Sequence, residues 1–336
     1  MSFPSRTLRA LRLPLFCALL WWLAAGSAQA AVSCTASMSN VAFGTVELVD
    51  GSTPPSVNAT LNYTCTNDGN LAEFARVCFN IGDGDEGLTN FNPRVMENSA
   101  GNALKFQLYQ STSNTIWGSS GNAVVPNPFI ATLTVPRRGS TSGSAIMRGQ
   151  LLGLQNTVPP GTYQDNFGGV HTSITLSSST LATPSTCNTT ASDKFAFVVT
   201  ATVAKSCLVT ANPLNFGTVD GLPGAANSDN SSTNSVTCTT PTTYTVALSP
   251  SNGSTIGAGV MAPTGGVPGN TDTVAYRLYR DANRSLPWGS VTNGNTVAGT
   301  GTGLAQSLTV YGRVLGTGVN VRPDTYRDVV TVNVTY

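Results

Sequence analysis

The chain has 336 residues, of which only 10% are charged, and a formal net charge of +1. Such a balance offers no basic face to nucleic acid or anionic lipid, so no nucleic-acid partner is expected. The length allows two domains, and apolar runs alternating between Gly, Pro, Asn and Asp clusters make the composition that of an all-β protein.

At the N-terminus, Arg6, Arg9 and Arg12 precede an apolar run from Leu13 to Ala25, and Ala28-Gln29-Ala30 follows. This is the layout of a secretory signal peptide over residues 1–30, with the mature chain starting at Ala31. Export makes disulfides the default for Cys34, Cys65, Cys78, Cys187, Cys207 and Cys238, and the absence of any C-x-x-C pair argues against zinc.

Short strands are predicted over 41–49, 59–65 and 74–81, with turn signals at Asp50-Gly51 and Pro54-Pro55. Asp83, Asp85 and Glu86 then crowd a Gly-rich stretch, but without EF-hand spacing they read as a solvated turn rather than a calcium loop. After a strand over 104–109, residues 111–130 look like a loop yet carry Trp117, Val124, Val125, Phe129 and Ile130. Apolar side chains on a loop either pack back on the core or stay exposed for a partner. Trp117 has a counterpart in Trp288 and is assigned to the core; Val124, Val125, Phe129 and Ile130 are the candidates for a role specific to the first half. Val170, Thr172, Ile174 and Leu176 alternate as that half's last strand, and Ser/Thr-rich residues 177–193, containing Cys187, read as a pinned loop.

The halves repeat one plan. Cys34 and Cys207 are each followed, at the same distance, by Phe-Gly-Thr-Val (Phe43 to Val46, Phe216 to Val219), and then by Cys65 and Cys238 at matching steps. Leu108-Tyr109 and Trp117-Gly118 match Leu278-Tyr279 and Trp288-Gly289; Pro160 to Asp165 matches Pro323 to Asp328. Four markers in one order indicate a duplicated domain. The repeat suggests the pairs Cys34–Cys65 and Cys207–Cys238 and leaves Cys78 and Cys187 for each other, although spacing alone does not fix connectivity.

Between the halves, Phe195, Phe197, Val199, Ala201 and Val203 have a period of two and read as a strand burying one face. Val330, Val332, Val334 and Tyr336 alternate likewise, and the chain stops within that strand. If each half lacks a final strand, residues 195–203 can supply the first half's, while nothing downstream supplies the second's. The expected divisions are 31–193, a connecting, donor-like strand over 194–206, and 207–336.

These markers, occurring twice in order, resemble the spore coat protein U domain, the subunit domain of archaic chaperone-usher pili. The resemblance implies two tandem immunoglobulin-like β-sandwiches of pilin type, the C-terminal one lacking its final strand. It also implies donor-strand complementation: a periplasmic chaperone and then the donor strand of the next pilin subunit would pair at the edge formed by Val330, Val332, Val334 and Tyr336, with an outer-membrane usher as assembly partner. With Cys34 so near the predicted cleavage point there is no room for an outgoing donor strand, which places this chain at a pilus tip on the cell surface. By analogy, Val124, Val125, Phe129 and Ile130 would form an adhesive loop for abiotic or host surfaces and biofilm formation, helped by Leu154 and Val158 if those turns share its end. A lectin-like tip using Tyr109 and Trp117, or a coat or adaptor protein, are the other readings. An enzyme is not expected: His171 near Asp165 is accompanied by no nucleophile elbow or acid pair of recognisable spacing, Asp83 and Glu97 could serve a glycosidase but the low acidic content and the duplicated plan argue against it, and no cofactor or metal is implied.

Overall fold

The computed structural model describes residues 32–49, 55–85, 89, 91–111, 113–153, 155–219, 221, 223–317 and 320–336. The predicted signal peptide, the Asp50-Gly51 turn, Glu86 and Leu154 lie outside them. The described residues contain strands and no helix.

The first half holds β1 (Val32–Met38), β2 (Val41–Val46), β3 (Ser56–Asn67), β4 (Glu73–Ile81), β5 (Arg94–Glu97) and β6 (Ala103–Gln110). It continues with β7 (Phe129–Val135), β8 (Gly139–Leu151), β9 (Gly161–Phe167), β10 (Thr172–Ser179), β11 (Ala191–Asp193) and β12 (Phe197–Val203). The second half holds β13 (Cys207–Ala211), β14 (Ser228–Cys238), β15 (Thr243–Pro250), β16 (Ala258–Pro263) and β17 (Val274–Tyr279), then β18 (Val297–Thr300), β19 (Gln306–Val314), β20 (Tyr326–Arg327) and β21 (Val330–Thr335).

Each half is a sandwich of two sheets. In the first, a sheet of order β1-β3-β8-β6-β5-β9-β12-β2 faces β11-β10-β4-β7; in the second, β13-β14-β19-β17-β16-β20 faces β18-β15-β21. The period-two patterning explains the layers, because inward residues of both sheets meet in one core per half. Trp117 and Trp288 are buried in corresponding places, and each indole donates to a carbonyl of the facing sheet, Phe79 O at 2.7 Å and Val246 O at 3.0 Å. Of three disulfides, Cys34–Cys65 and Cys207–Cys238 each join neighbouring strands of one sheet, and Cys78–Cys187 ties the segment before β11 to β4.

Two segments differ from expectation. Phe129 and Ile130 begin β7 rather than ending a loop, because they pair with Phe79 and Cys78 of β4 despite the flanking prolines. Val170 is not a strand residue; it sits in the turn between β9 and β10, which Gly169 closes at a φ of 52°.

Candidate functional site

The two halves differ most at one slot. In the first, β12 lies between β9 and β2, antiparallel to β9 from Phe197↔Phe167 to Val203↔Gly161, and parallel to β2 from Val199↔Val41 to Val203↔Val46. Phe197, Val199, Ala201 and Val203 point into the core, and Phe195, just before the strand, is buried with them. Gly44, at a φ of 71°, bends the Phe-Gly-Thr-Val strand where its register against β12 shifts.

No described residue of the chain fills the corresponding slot in the second half. There β20, the counterpart of β9, keeps only two residues and pairs with β16 alone. Phe216 to Val219, the counterpart of β2, belongs to no strand, yet Gly217 holds the same bend at a φ of 72°. Between them runs a groove of about 1200 Å³ lined by Leu214, Phe216, Tyr276, Val310, Tyr326 and Val330, among others. Many core residues of the second half are only half-buried for this reason, including Phe216, Met261, Val321, Val330, Val332 and Val334. β21 pairs with β15 on one side, and no described strand lies on its other; Val330 and Val332 line the groove, whereas Tyr336 is 54% exposed.

An aspartate sits beside each slot. Asp328 accepts a hydrogen bond of 2.5 Å from the Tyr276 hydroxyl, and burial, the bond and the carboxylate's charge together push the Tyr276 phenol well above its usual range. The matched Asp165 is fully buried and faces Arg94, also fully buried, whose pKa burial lowers to about 10 against the opposing pull of Asp165 and Asp83. Arg94 donates to Gly82 O at 2.8 Å, Gln107 Oε1 at 2.6 Å and Trp117 O at 2.8 Å. Nothing in the sequence around Arg94 announces this role; only the repeated aspartate hinted at a paired site.

Those bonds organise one end of the first half. The Phe197 end of β12 meets the Phe167 end of β9, and its Val203 end leads into Cys207, so the loops beyond Phe167 lie away from the second half. Gly118 O accepts from Ile81 N, and His171 O from Gly82 N, so two loops are seated on consecutive residues of one strand end. His171 spans Asp83 (Nδ1 to Oδ1, 3.1 Å) and Asp85 (Nε2 to Oδ1, 3.5 Å). Val124 stands 73% exposed there and Val170 88%, while Val125 is buried and Phe129 packs against the core. Ile130 is partly exposed on β7. Val170 is the residue that the alternating pattern concealed; the Gly168-Gly169 pair was the signal available for it. Val158 does not share this end: its neighbour Asn156 donates to Gly303 O of the second half at 2.6 Å. Tyr109 has one face covered by Arg148, 4.3 Å from its centroid, and Trp117 is buried, so the two rings offer little to a sugar. Among the described residues, no cluster of His, Cys, Asp or Glu is arranged to hold a metal.

A family model for the Spore Coat Protein U domain matches residues 22–169 and again 193–333. The chain belongs to the Spore Coat Protein U domain family. Protein U of Myxococcus xanthus is 34% identical over 133 residues, which cover 37% of this chain and 71% of that protein. Among solved structures, the chain is similar to one in the CsuC-CsuE chaperone-tip adhesion subunit pre-assembly complex of archaic chaperone-usher Csu pili from Acinetobacter baumannii. That match has 14% identity and a TM-score of 0.49, covering 90% of this chain and 100% of the other. The CupB6 tip adhesin of Pseudomonas aeruginosa matches at 12% identity and a TM-score of 0.34, with coverage of 90% and 95%. The first match ends before β10 and the second takes in β12, which is built into the first sandwich, so the slot is where the two copies part company.

Proposed function

We propose that this chain is the tip subunit of an archaic chaperone-usher pilus, exported to the periplasm and displayed at the cell surface. The observation that carries the reading is the contrast between slots: β12 completes the first domain from within, and the second domain offers the same site unfilled. An open slot exposes backbone donors and acceptors beside an apolar core, and a strand with alternating apolar side chains satisfies both. A periplasmic chaperone fills it first, and the donor strand of the next subunit replaces it at the outer-membrane usher. The chain's own β12 is the guide to such a strand, with large side chains at the positions of Phe197 and Val199 and a small one at that of Ala201.

The first domain, closed and held by Arg94, presents Val124 and Val170 at the end away from the second domain, where they serve attachment to abiotic or host surfaces and biofilm formation. The test is co-expression of the mature chain with its cognate periplasmic chaperone, followed by addition of a shaft-subunit donor peptide. The expected result is a one-to-one chaperone complex that exchanges for a single peptide, and attachment to polystyrene that drops several-fold in V124S/V170S. A stable free monomer that ignores both chaperone and peptide sinks the pilus reading.

A further inference from the structure

β12 has two duties. It fills the first domain, and it is continuous with the segment 204–206 that leads to Cys207, so tension between the two halves acts along it. Its ladders with β9 and β2 run along its length, so a pull must shear them together rather than open them one bond at a time. If they give way, the next segment to bear load is the one before β12. There Cys187 is joined to Cys78, which lies within β4, a strand flanked on both sides by β10 and β7.

We propose that the Cys78–Cys187 bridge is a mechanical stop: tension from the second domain can draw β12 out of its slot but cannot unravel the end of the first domain that carries Val124 and Val170. Without the bridge, once β11 has been stripped from β10, load would pass from β12 through residues 180–193 into the Ser179 end of β10, which is positioned to peel from β4 and to carry the His171 turn with it. With the bridge, load crosses at Cys187 directly into the middle of β4. The loops that hold Asp83, Val124 and Val170 all fall between the two cysteines in sequence, inside a covalently closed segment spanning a separation of 109 residues. The second domain has no counterpart of this bridge; its Cys207–Cys238 joins only the neighbouring strands β13 and β14.

The slack is small. From Cys187 to Cys207 the chain spans roughly 20 residues, at most about 70 Å when fully extended at ~3.5 Å per residue, part of which β12 already covers, whereas the closed segment would add about 380 Å. The short tether also keeps β12 at a high effective concentration near its slot, which favours return once the load falls. That tension arises in service rests on the pilus-tip reading; the stop itself does not.

The experiment replaces Trp288 with Phe, which leaves Trp117 as the only tryptophan beyond residue 30, and evicts β12 with V199D, which sets a carboxylate opposite Asp165. In the oxidised chain, Trp117 is expected to keep the blue emission of a buried indole; in C78A/C187A the same eviction should shift it to the red. Red-shifted emission with the bridge intact, or blue emission without it, overturns the proposal. If C78A/C187A does not fold, single-molecule pulling on the oxidised natural chain decides the matter. The expected trace shows a first-domain step shorter than about 70 Å that reverses over repeated cycles, and a step that fails to reverse overturns the proposal. Neither measurement reads the second domain's groove, so failure here is separable from failure of the chaperone and donor-peptide test.

Discussion

Replacing Arg94 with Met is the sharpest test of how the far end of the first domain is held. The guanidinium is fully buried, donates to Gly82 O, Gln107 Oε1 and Trp117 O, and lies 5.8 Å from the centroid of Phe167. Burial lowers its pKa to about 10, so the fold holds this charged group at an electrostatic cost. Methionine lifts that cost but takes the donor from two carbonyls, one of two donors from Gln107 Oε1, and a nearby cation from Asp165. Breaking a buried pair from one side costs roughly 3–5 kcal/mol, which outweighs the gain. Urea unfolding followed by Trp117 emission should therefore show a lower midpoint for R94M, and R94M/D165N should recover at least ~1 kcal/mol because the stranded charge is gone. The sign with pH is fixed: a base with a depressed folded-state pKa adds stability only as pH rises above about 10. From pH 6 to 9 this group leaves the stability of the natural chain flat. A loss under ~1 kcal/mol for R94M, or a D165N effect that simply adds to it, would refute the reasoning.

Three further outcomes are expected. Y276F removes the hydroxyl that Asp328 accepts from, costing about 1 kcal/mol in the second domain. Because the Tyr276 phenol is raised in the fold, and the Tyr244 phenol with it, the natural domain should also lose stability as pH climbs above 10, a slope that denaturant titration should find shallower but not absent in Y276F. G312A places a Cβ 2.5 Å from Leu214 Cδ2 and 2.7 Å from Phe216 Cζ, so it should push that wall outward and weaken donor-peptide binding about tenfold in a fluorescence titration; unchanged affinity would deny that this wall shapes the groove. G303A combines a φ of 76° with a Cβ 2.2 Å from Asn156 O, and small-angle scattering should show a changed angle between the domains, with an identical profile counting against the contact.

Much of this architecture is legible because two periodicities are strong. The alternation from Phe195 to Val203 and the twice-repeated Cys, Phe-Gly-Thr-Val and Trp-Gly markers reflect one-sided burial, which leaves its mark residue by residue. What the pattern does not carry is partnership between distant segments. The parallel pairing of β12 with Val41 to Val46 adds β2 as the edge of the first sheet, and no local signal at Phe43 or Val203 announces it. Arg94, between Pro93 and Val95, reads as an ordinary surface cation, since its burial depends on Asp165 arriving from β9. Val170 misled in the opposite direction: its alternation with Thr172 and Ile174 is real, but the strand starts at Thr172, and the turn through Gly168 and Gly169 leaves Val170 in solvent.

The matched aspartates show how the two copies have diverged. In the first domain Arg94 stands opposite Phe106 in the β5–β6 ladder; in the second, Gly259 stands opposite Tyr276 in the β16–β17 ladder, at the same pair of positions. A Cβ on Gly259 would lie 2.1 Å from the Tyr276 ring, so the glycine is what lets that ring lie across the space and bring its hydroxyl to Asp328. Two coupled exchanges thus replace a cation with a neutral donor while keeping the acid. The donors differ in what else they hold. Arg94 reaches Gly82 and Trp117, tying together the loops that seat Val124 and Val170, whereas Tyr276 makes one bond and stays in the groove wall. A rigid end suits a domain whose slot is already filled and whose loops meet a surface. A wall with a single neutral tie suits a groove that must open for one strand and close on another.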